Sequence, residues 1–329
     1  MNRIPLGNTV FEGHNNVYLF PDDPVTLVDT GVAVDDTYDR LRSGLEGYDT
    51  SIEDVEQILL THYHPDHAGL AGTIQRESGA TVYVHEMDAP LVAGEEAAWN
   101  AVEEGRLRRY DKWGMPLEKQ EELESFFFNG PNLYGEPPTV ETITEGDSIL
   151  AGSVRLEVLH TPGHAAGHSC FVARDEDTIL TGDALLPVYT PNVGGADIRV
   201  DRALEQYLTT LRTLIHRDDG LALPGHRDPI EDPAGKARSI IEHHEERALR
   251  VLTILEDVQP ADAWTISDHL FGELESVHIL HGPGEASAHL EHLARTGKII
   301  RTDDGYRLGQ EVAELVPRLD GRFPLCEDR

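Results

Sequence analysis

Sulfur is almost missing from this chain. Only two cysteines occur in 329 residues, Cys170 and Cys326, with no spacing pattern between them. That argues against a disulfide scaffold and against a thiolate metal site. Long hydrophobic runs are missing as well. Hydrophobic residues make up 39% of the chain, and no run nears the roughly 18 residues that a membrane span needs. The opening MNRIPLGNTV lacks the charged-then-apolar build of a secretion signal. A cytoplasmic protein with no membrane partner is the expectation. The third shortage is positive charge. Lys and Arg total 27 against 60 Asp and Glu, a net charge of −33, and the only lysines are Lys112, Lys119, Lys236 and Lys298. The acids are dispersed rather than gathered in a tail, so they repel one another across the whole surface at low ionic strength. At molar salt the Debye length falls to about 3 Å and screens most of that repulsion. A halophilic protein is expected. Such a surface also disfavours nucleic acid, whose nonspecific binding depends on Lys and Arg meeting phosphates.

What is present reads as alternating strands and helices. Thr9–Phe11, Asn16–Phe20, Val25–Val28 and the run VEQILLTH are short apolar or β-branched stretches separated by Pro, Asp and Gly. A helix over His67–Ser78, closed by Gly79, and a strand at Thr81–Val84 follow. Glu95–Phe128 turns helical with a break near Gly114-Met115-Pro116. Strands are expected at Ser148–Leu159, Ser169–Ala173, Thr178–Leu180 and Leu221–Leu223. Helices are expected at Arg202–His216 and Pro233–Asp257. This pattern predicts an α/β (α+β) chain with two sheets between helix layers. Past Val258-Gln259-Pro260 the order helix, helix, β-hairpin suggests a winged-helix module. The expected division is a catalytic domain over 1–232, a long connecting helix over 233–259, a winged-helix-like domain over 260–309 and a tail over 310–329.

The stretch THYHPDHAGL, residues 61–70, follows the apolar Ile58-Leu59-Leu60 and carries His62, His64, Asp66 and His67. In extended chain His62 and His64 leave on the same side. Asp66 and His67 come after Pro65 turns the chain, so all four can face a common region. One ion cannot easily take all four from so short a loop, whereas two adjacent ions can. Further candidates stand at strand ends beside glycine: His164 in HTPGHAAGH, Asp183 in LTGDAL and His226 in LPGHRDP. Imidazoles suit zinc, iron or manganese, and carboxylates lean to harder ions. Two divalent ions, zinc first with iron or manganese as alternatives, are the expected cofactors.

The set His62-x-His64-x-Asp66-His67, TPGH at 161–164, GD at 182–183 and PGH at 224–226 resembles the metallo-β-lactamase superfamily, in its order as well as its residues. LVDTG at 27–31 fits too, with Asp29 standing where that family has a residue that supports a ligand. The resemblance implies an αββα sandwich with the site at one sheet edge. It assigns His62, His64, His164 and Asp183 to one metal, and Asp66, His67, Asp183 and His226 to the other, with Asp183 bridging. Histidine at position 64, where the flavodiiron oxidoreductases carry Glu, points to the hydrolase branch. The layout is closest to glyoxalase II-like and lactamase-β-2-like proteins, the latter also ending in a winged helix. The implied activity is hydrolysis of a small ester or thioester by hydroxide bridging two metals, with Asp66 orienting the nucleophile. Metal-dependent cleavage of RNA is the alternative activity.

Other residues invite plainer readings beside functional ones. Tyr189 and Asn192, in the loop after Asp183, are candidate substrate contacts. His160 and His168 read as satisfied polar positions, and His243 and His244 as a solvated helix face. Trp99, Tyr110, Trp113 and Phe126–Phe128 read as packing residues of the helical insertion. Arg106, Arg108 and Arg109 share one helical turn and read as partners of Glu103, Glu104 and Asp111. A second alternative, a DNA-binding regulator with a vestigial hydrolase, fits poorly. The would-be recognition helix Gly284–Arg295 offers Glu285, Glu291 and a single Arg295, whereas a groove reader needs cationic and amide side chains. A structural or dimer-forming role for the C-terminal module is the expectation.

Overall fold

The computed structural model describes residues 1–7, 13–130, 132–316 and 321–325. The expected strand at Thr9–Phe11 and the residue Cys326 lie outside this set. Contacts divide the chain into two compact units, each built from separated segments. The first comprises Met1–Ala101, Pro131–Pro191 and Thr213–Lys236; the second comprises Val102–Gly130, Asn192–Arg212 and Ala237–Arg329. The units therefore interleave along the chain, whereas the division read from sequence cuts it into consecutive stretches.

The first unit holds two sheets. One has the order β1 (Asn2–Pro5), β2 (Asn16–Phe20), β3 (Thr26–Val28), β4 (Gln57–Leu59), β5 (Thr81–His85) and β6 (Val140–Ile143). Its first three strands are antiparallel, and β3 through β6 run parallel. The other has the order β11 (Leu221–Pro224), β10 (Thr178–Gly182), β9 (Ser169–Ala173), β8 (Val154–His160) and β7 (Ser148–Ala151), antiparallel except where β11 lies parallel to β10. Alternation along the strands builds the core between the sheets. Tyr18, Phe20, Val28 and Leu59 from the first sheet join Leu156, Val158, Phe171 and Leu180 from the second in one buried cluster. The opposite side chains Val17, Leu19, Leu27 and Ile58 are also fully buried. Both faces of the first sheet are thus covered, as its near-continuous apolar strands require. Helices Asp35–Glu46, Ala71–Ser78 and Ala89–Val92 lie against β1, β5 and β6.

The second unit is mainly helical. Tyr110, Trp113 and Leu123 pack with Val251, Leu255, Ile266 and Leu290 in its core. Packing therefore explains Tyr110 and Trp113, as expected, while Phe128 is 89% exposed. Helices Ala263–Phe271 and His278–Arg295 precede a hairpin of β12 (Ile299–Thr302) and β13 (Gly305–Leu308). The order helix, helix, hairpin matches the expectation.

Several readings need correcting. His244 is not on a solvated face: it is wholly buried, beside Tyr207 and His289. The helix expected from Gly284 begins at His278 and runs through Pro283. A Gly-Pro-Gly triplet reads as a breaker, but Gly284 lets the helix meet the loop at Gly195, where a Cβ would lie 2.3 Å from the Gly195 Cα. The strand expected at Ser148–Leu159 is the hairpin β7–β8, turned at Gly152 with φ +56°. The helix expected at His67–Ser78 is two pieces, Pro65–Ala68 and Ala71–Ser78. Strands β1 and β6 had no counterpart in the sequence reading.

Candidate metal centre

Strands of both sheets deliver the candidate residues to one edge of the first unit. Asp29 follows β3, the run His62–His67 follows β4, His164 follows β8, Asp183 follows β10 and His226 follows β11. Proline at position 65 starts a single helical turn right after His64, which swings Asp66 and His67 away from His62 and His64. Backbone bonds lock the loops together. The Asp29 amide donates to the Leu59 carbonyl, Ser169 to Thr61 and Gly225 to Gly182, all within 2.9 Å.

Every candidate ligand is brought in. His64 Nδ1 lies 2.9 Å from His62 Nε2 and 3.0 Å from His164 Nε2. On the other side, His67 Nε2 and His226 Nε2 stand 3.4 and 3.5 Å from Asp183 Oδ1. His226 Nε2 is also 3.4 Å from Asp66 Oδ2. Asp183 turns its second oxygen the other way, with Oδ2 3.6 Å from His164 Nε2. The donors form three overlapping groups: His62, His64 and His164; His62, His67 and Asp183; and Asp66, His67 and His226.

These residues fit divalent metal ions. Bonds of about 2.0–2.2 Å to nitrogen or oxygen set neighbouring donors on one ion roughly 3.0–3.5 Å apart, as found here. Buried atoms are also left without hydrogen-bond partners, among them His67 Nε2 and Asp183 Oδ1. Orphaned polar atoms of this kind are costly in an apolar interior unless an ion or water meets them. The electrostatics agree. Burial, with the neighbouring imidazoles, holds His62 and His64 well below the usual histidine range, so their ring nitrogens keep lone pairs at neutral pH. Burial would lower His67 too, but Asp183, Asp29 and Asp66 outweigh it and hold His67 well above that range. Burial would raise Asp183, yet His226 and His67 hold it well below the carboxylate range and fully ionised. Thiolate is not on offer: burial pushes Cys170 up to about 12.

Asp29 touches the loop that carries the candidate ligands. Its carboxylate accepts from the Thr61 amide at 2.8 Å, from Thr61 Oγ1 at 2.9 Å and from His67 Nδ1 at 2.8 Å. His168 is buried, bound to Thr61's counterpart in the other loop, Thr161 Oγ1, at 2.7 Å, and its Nε2 accepts from the Asp183 amide at 3.0 Å. His160 bonds the Ala166 carbonyl and stacks on His85. Tyr189 is 46% exposed, with its hydroxyl 3.3 Å from Arg227. Asn192 belongs to the second unit, where its Oδ1 accepts from the Gly195 and Ala196 amides at 3.1 and 2.8 Å.

Sequence reasoning missed two buried residues. Asn15 Nδ2 donates to the Asp66 carbonyl at 3.1 Å and stands 3.5 Å from His226 Nε2. Asp88 accepts from the Tyr63 amide at 3.1 Å and the Gly167 amide at 3.0 Å, clamping the two histidine loops together. Its place just past the end of β5, beside strands that end in ligands, was the available signal; nothing in the sequence marked Asn15. Gly225 shows why the PGH motif carries glycine. A Cβ there would lie 2.5 Å from His67 Cε1 and 2.7 Å from Asp183 Oδ1.

Comparison with known proteins accords with this geometry. A crystal structure of a metallo-beta-lactamase family protein from Thermus thermophilus superposes with a TM-score of 0.78 at 31% identity, covering 93% of this chain and 97% of that one. A Bacillus subtilis protein called probable metallo-hydrolase YqjP is 27% identical over 88% of this chain and 90% of its own length. An Emericella nidulans protein called thioesterase pkgB is 24% identical over 68% of this chain and 48% of its own length. The profile of the metallo-beta-lactamase superfamily matches residues 10–226. With the expected sandwich fold, and with histidine and aspartate clusters suited to divalent ions at its edge, the chain belongs to the metallo-beta-lactamase superfamily.

Proposed function

We propose that this chain is a dinuclear metal-dependent hydrolase acting on a small ester or thioester. One observation carries the dinuclear reading. The two oxygens of Asp183 face different imidazoles, Oδ1 toward His67 and His226 and Oδ2 toward His164. A carboxylate so placed suits two ions that share it. His62, His64 and His164 would complete one position, and Asp66, His67 and His226 the other. Zinc fits this nitrogen-rich set, and iron or manganese fit the carboxylates.

Held by these residues, two divalent ions would supply Lewis acidity toward a water and toward the scissile carbonyl. The protein's own part is to hold and orient. Asn15 anchors the Asp66 backbone carbonyl, so the Asp66 carboxylate is fixed and can accept a hydrogen bond from the attacking water. Asp29 accepts a hydrogen bond from His67 Nδ1 and keeps the proton there, so Nε2, facing Asp183, is the nitrogen whose proton a metal ion would replace. No serine or cysteine nucleophile is required, and Cys170, buried and held protonated, is unsuited to the part.

The thioester choice is supported by the relative named as a thioesterase. Net charge also favours it, because a chain at −33 opposes the approach of a long polyanion such as RNA. The test is metal analysis joined to a parallel assay, in high salt, with S-lactoyl thiols, a generic ester and single-stranded RNA. Close to two ions per chain are expected, and Asp183→Ala should lose metal and thioester turnover together. An active protein free of metal would end this reading.

A further inference from the structure

Cations are scarce in this chain, at 27 of 329 residues. Yet in the second unit Arg108, Arg109, Lys112 and Arg202 line a single cavity of about 480 Å³, opposed there only by Asp201 and Glu291. The first three lie on helix Glu96–Trp113, where Arg108 and Lys112 are four residues apart. Like charges at that spacing destabilise a helix. Clustering cations where the rest of the surface is acidic is a cost that a bound anion would offset.

The local pairing leaves the guanidinium groups available. Among the described residues Arg108 forms an ion pair with Glu104 alone, at 3.5 Å, and both side chains are largely exposed. Arg202 stands 3.7 Å from Glu205, which also binds Arg295. Exposed pairs of this kind are weak, so an anion can displace them. Arg109 and Lys112 are held in place instead, by Glu291 at 3.6 and 2.5 Å, and Arg109 also by the Ile198 carbonyl at 3.3 Å. Arg106 faces elsewhere, forked onto Glu124 at 3.1 and 3.0 Å. Gly105 fits this cavity too. A Cβ there would lie 2.7 Å from Ile198 Cδ1, so glycine lets the Ile198 loop close against the helix.

We infer that this cavity binds a small phosphorylated anion of nucleotide size. Arginine forks match phosphate oxygens in pairs. The volume exceeds what one inorganic phosphate fills and falls in the range of small-molecule sites, about 300–1,000 Å³. A long nucleic acid is disfavoured, since the chain's net charge of −33 opposes the approach of a polyanion.

The test is titration calorimetry of the full chain with inorganic pyrophosphate, ADP and coenzyme A, repeated after the metals are stripped. Because phosphates also ligate metal ions, binding at this site is the part that survives stripping. Sub-millimolar binding of at least one probe is expected. The double substitution Arg108→Ala with Arg202→Ala should weaken it at least tenfold. Arg155→Ala, which removes one exposed cation elsewhere, should leave it within twofold. Arg108→Lys with Arg202→Lys, which keeps the charge and removes the forks, should fall between. No binding by the stripped wild type would overturn the inference, as would equal weakening by Arg155→Ala. Binding of a short single-stranded RNA more tightly than ADP, with the same arginine dependence, would replace the small ligand with RNA.

Discussion

Replacing Asp29 by asparagine changes one oxygen into an amide group and nothing in size, so its effect can be worked through atom by atom. Oδ1 must go on accepting from the Thr61 amide, now at 2.8 Å. That leaves the new NH2 where Oδ2 stood, 2.9 Å from Thr61 Oγ1 and 2.8 Å from His67 Nδ1. Two donors cannot share one hydrogen bond. His67 must then give up its Nδ1 proton and carry it on Nε2, the atom 3.4 Å from Asp183 Oδ1. A protonated Nε2 has no lone pair to offer a metal. Loss of such a supporting carboxylate typically weakens metal binding 10–100-fold, about 1.4–2.7 kcal/mol. The assay is competition for zinc against a chromogenic chelator, with thermal unfolding of the stripped protein to verify the fold. Asp29→Asn should lose affinity by that factor at one ion more than at the other, because the His67 ring serves only one of the two proposed positions. If the variant held both ions as tightly as wild type, the argument from the His67 tautomer would be wrong.

Gly225→Ala keeps an ordinary backbone but drives a methyl into His67 and Asp183. It should fold and yet lose most of its metal and turnover; full metal content would show that the neighbours give way. Burial holds His289 down to about 3, and His244 beside it well below the histidine range. The unfolded chain takes up these protons near pH 6.5 while the folded one refuses them. Stability present above pH 6.5 is therefore lost as pH falls toward 3, by about 1.4 kcal/mol per pH unit per histidine. Urea midpoints measured from pH 7 to 4 should fall, and less so in His289→Gln; a flat profile would refute the assignment. The net charge of −33 predicts a melting temperature higher in 2 M than in 0.1 M KCl, where the Debye length is about 10 Å. Equal values in differential scanning calorimetry would sink the halophilic reading.

The candidate ligands were legible in the sequence because their chemistry is local. Histidine two apart, proline as a turn and glycine beside each later ligand all mark positions without needing the partner. Strands β2, β4, β9 and β10 were legible for the same reason, as short apolar runs between breakers. Strand β6, whose residues Glu141 and Thr142 are exposed, shows no such run, and pairing with β5 alone makes it a strand. His244 looked solvated because acids surround it in sequence, whereas its burial is set by residues such as Tyr207 and His289 far along the chain. Asn15 and Asp88 act through backbone groups of distant loops, which no motif records. The arginines divided on the same ground. Arg108 took the neighbour expected of it, Glu104, while Arg106 and Arg109 found Glu124 and Glu291 instead.

The donors stand between residues 62 and 226 and come from strand ends in two different sheets. No short fragment of the chain holds the full set, so metal would not template the folding of this unit as it does in a zinc finger. The sheets must dock first, by pairings distant in sequence and therefore slow to form. A bound metal ion would then act as a latch on the finished sandwich. It stabilises only the docked state, by an amount that grows with the logarithm of free metal over its dissociation constant, and should slow unfolding while leaving the rate of folding almost untouched.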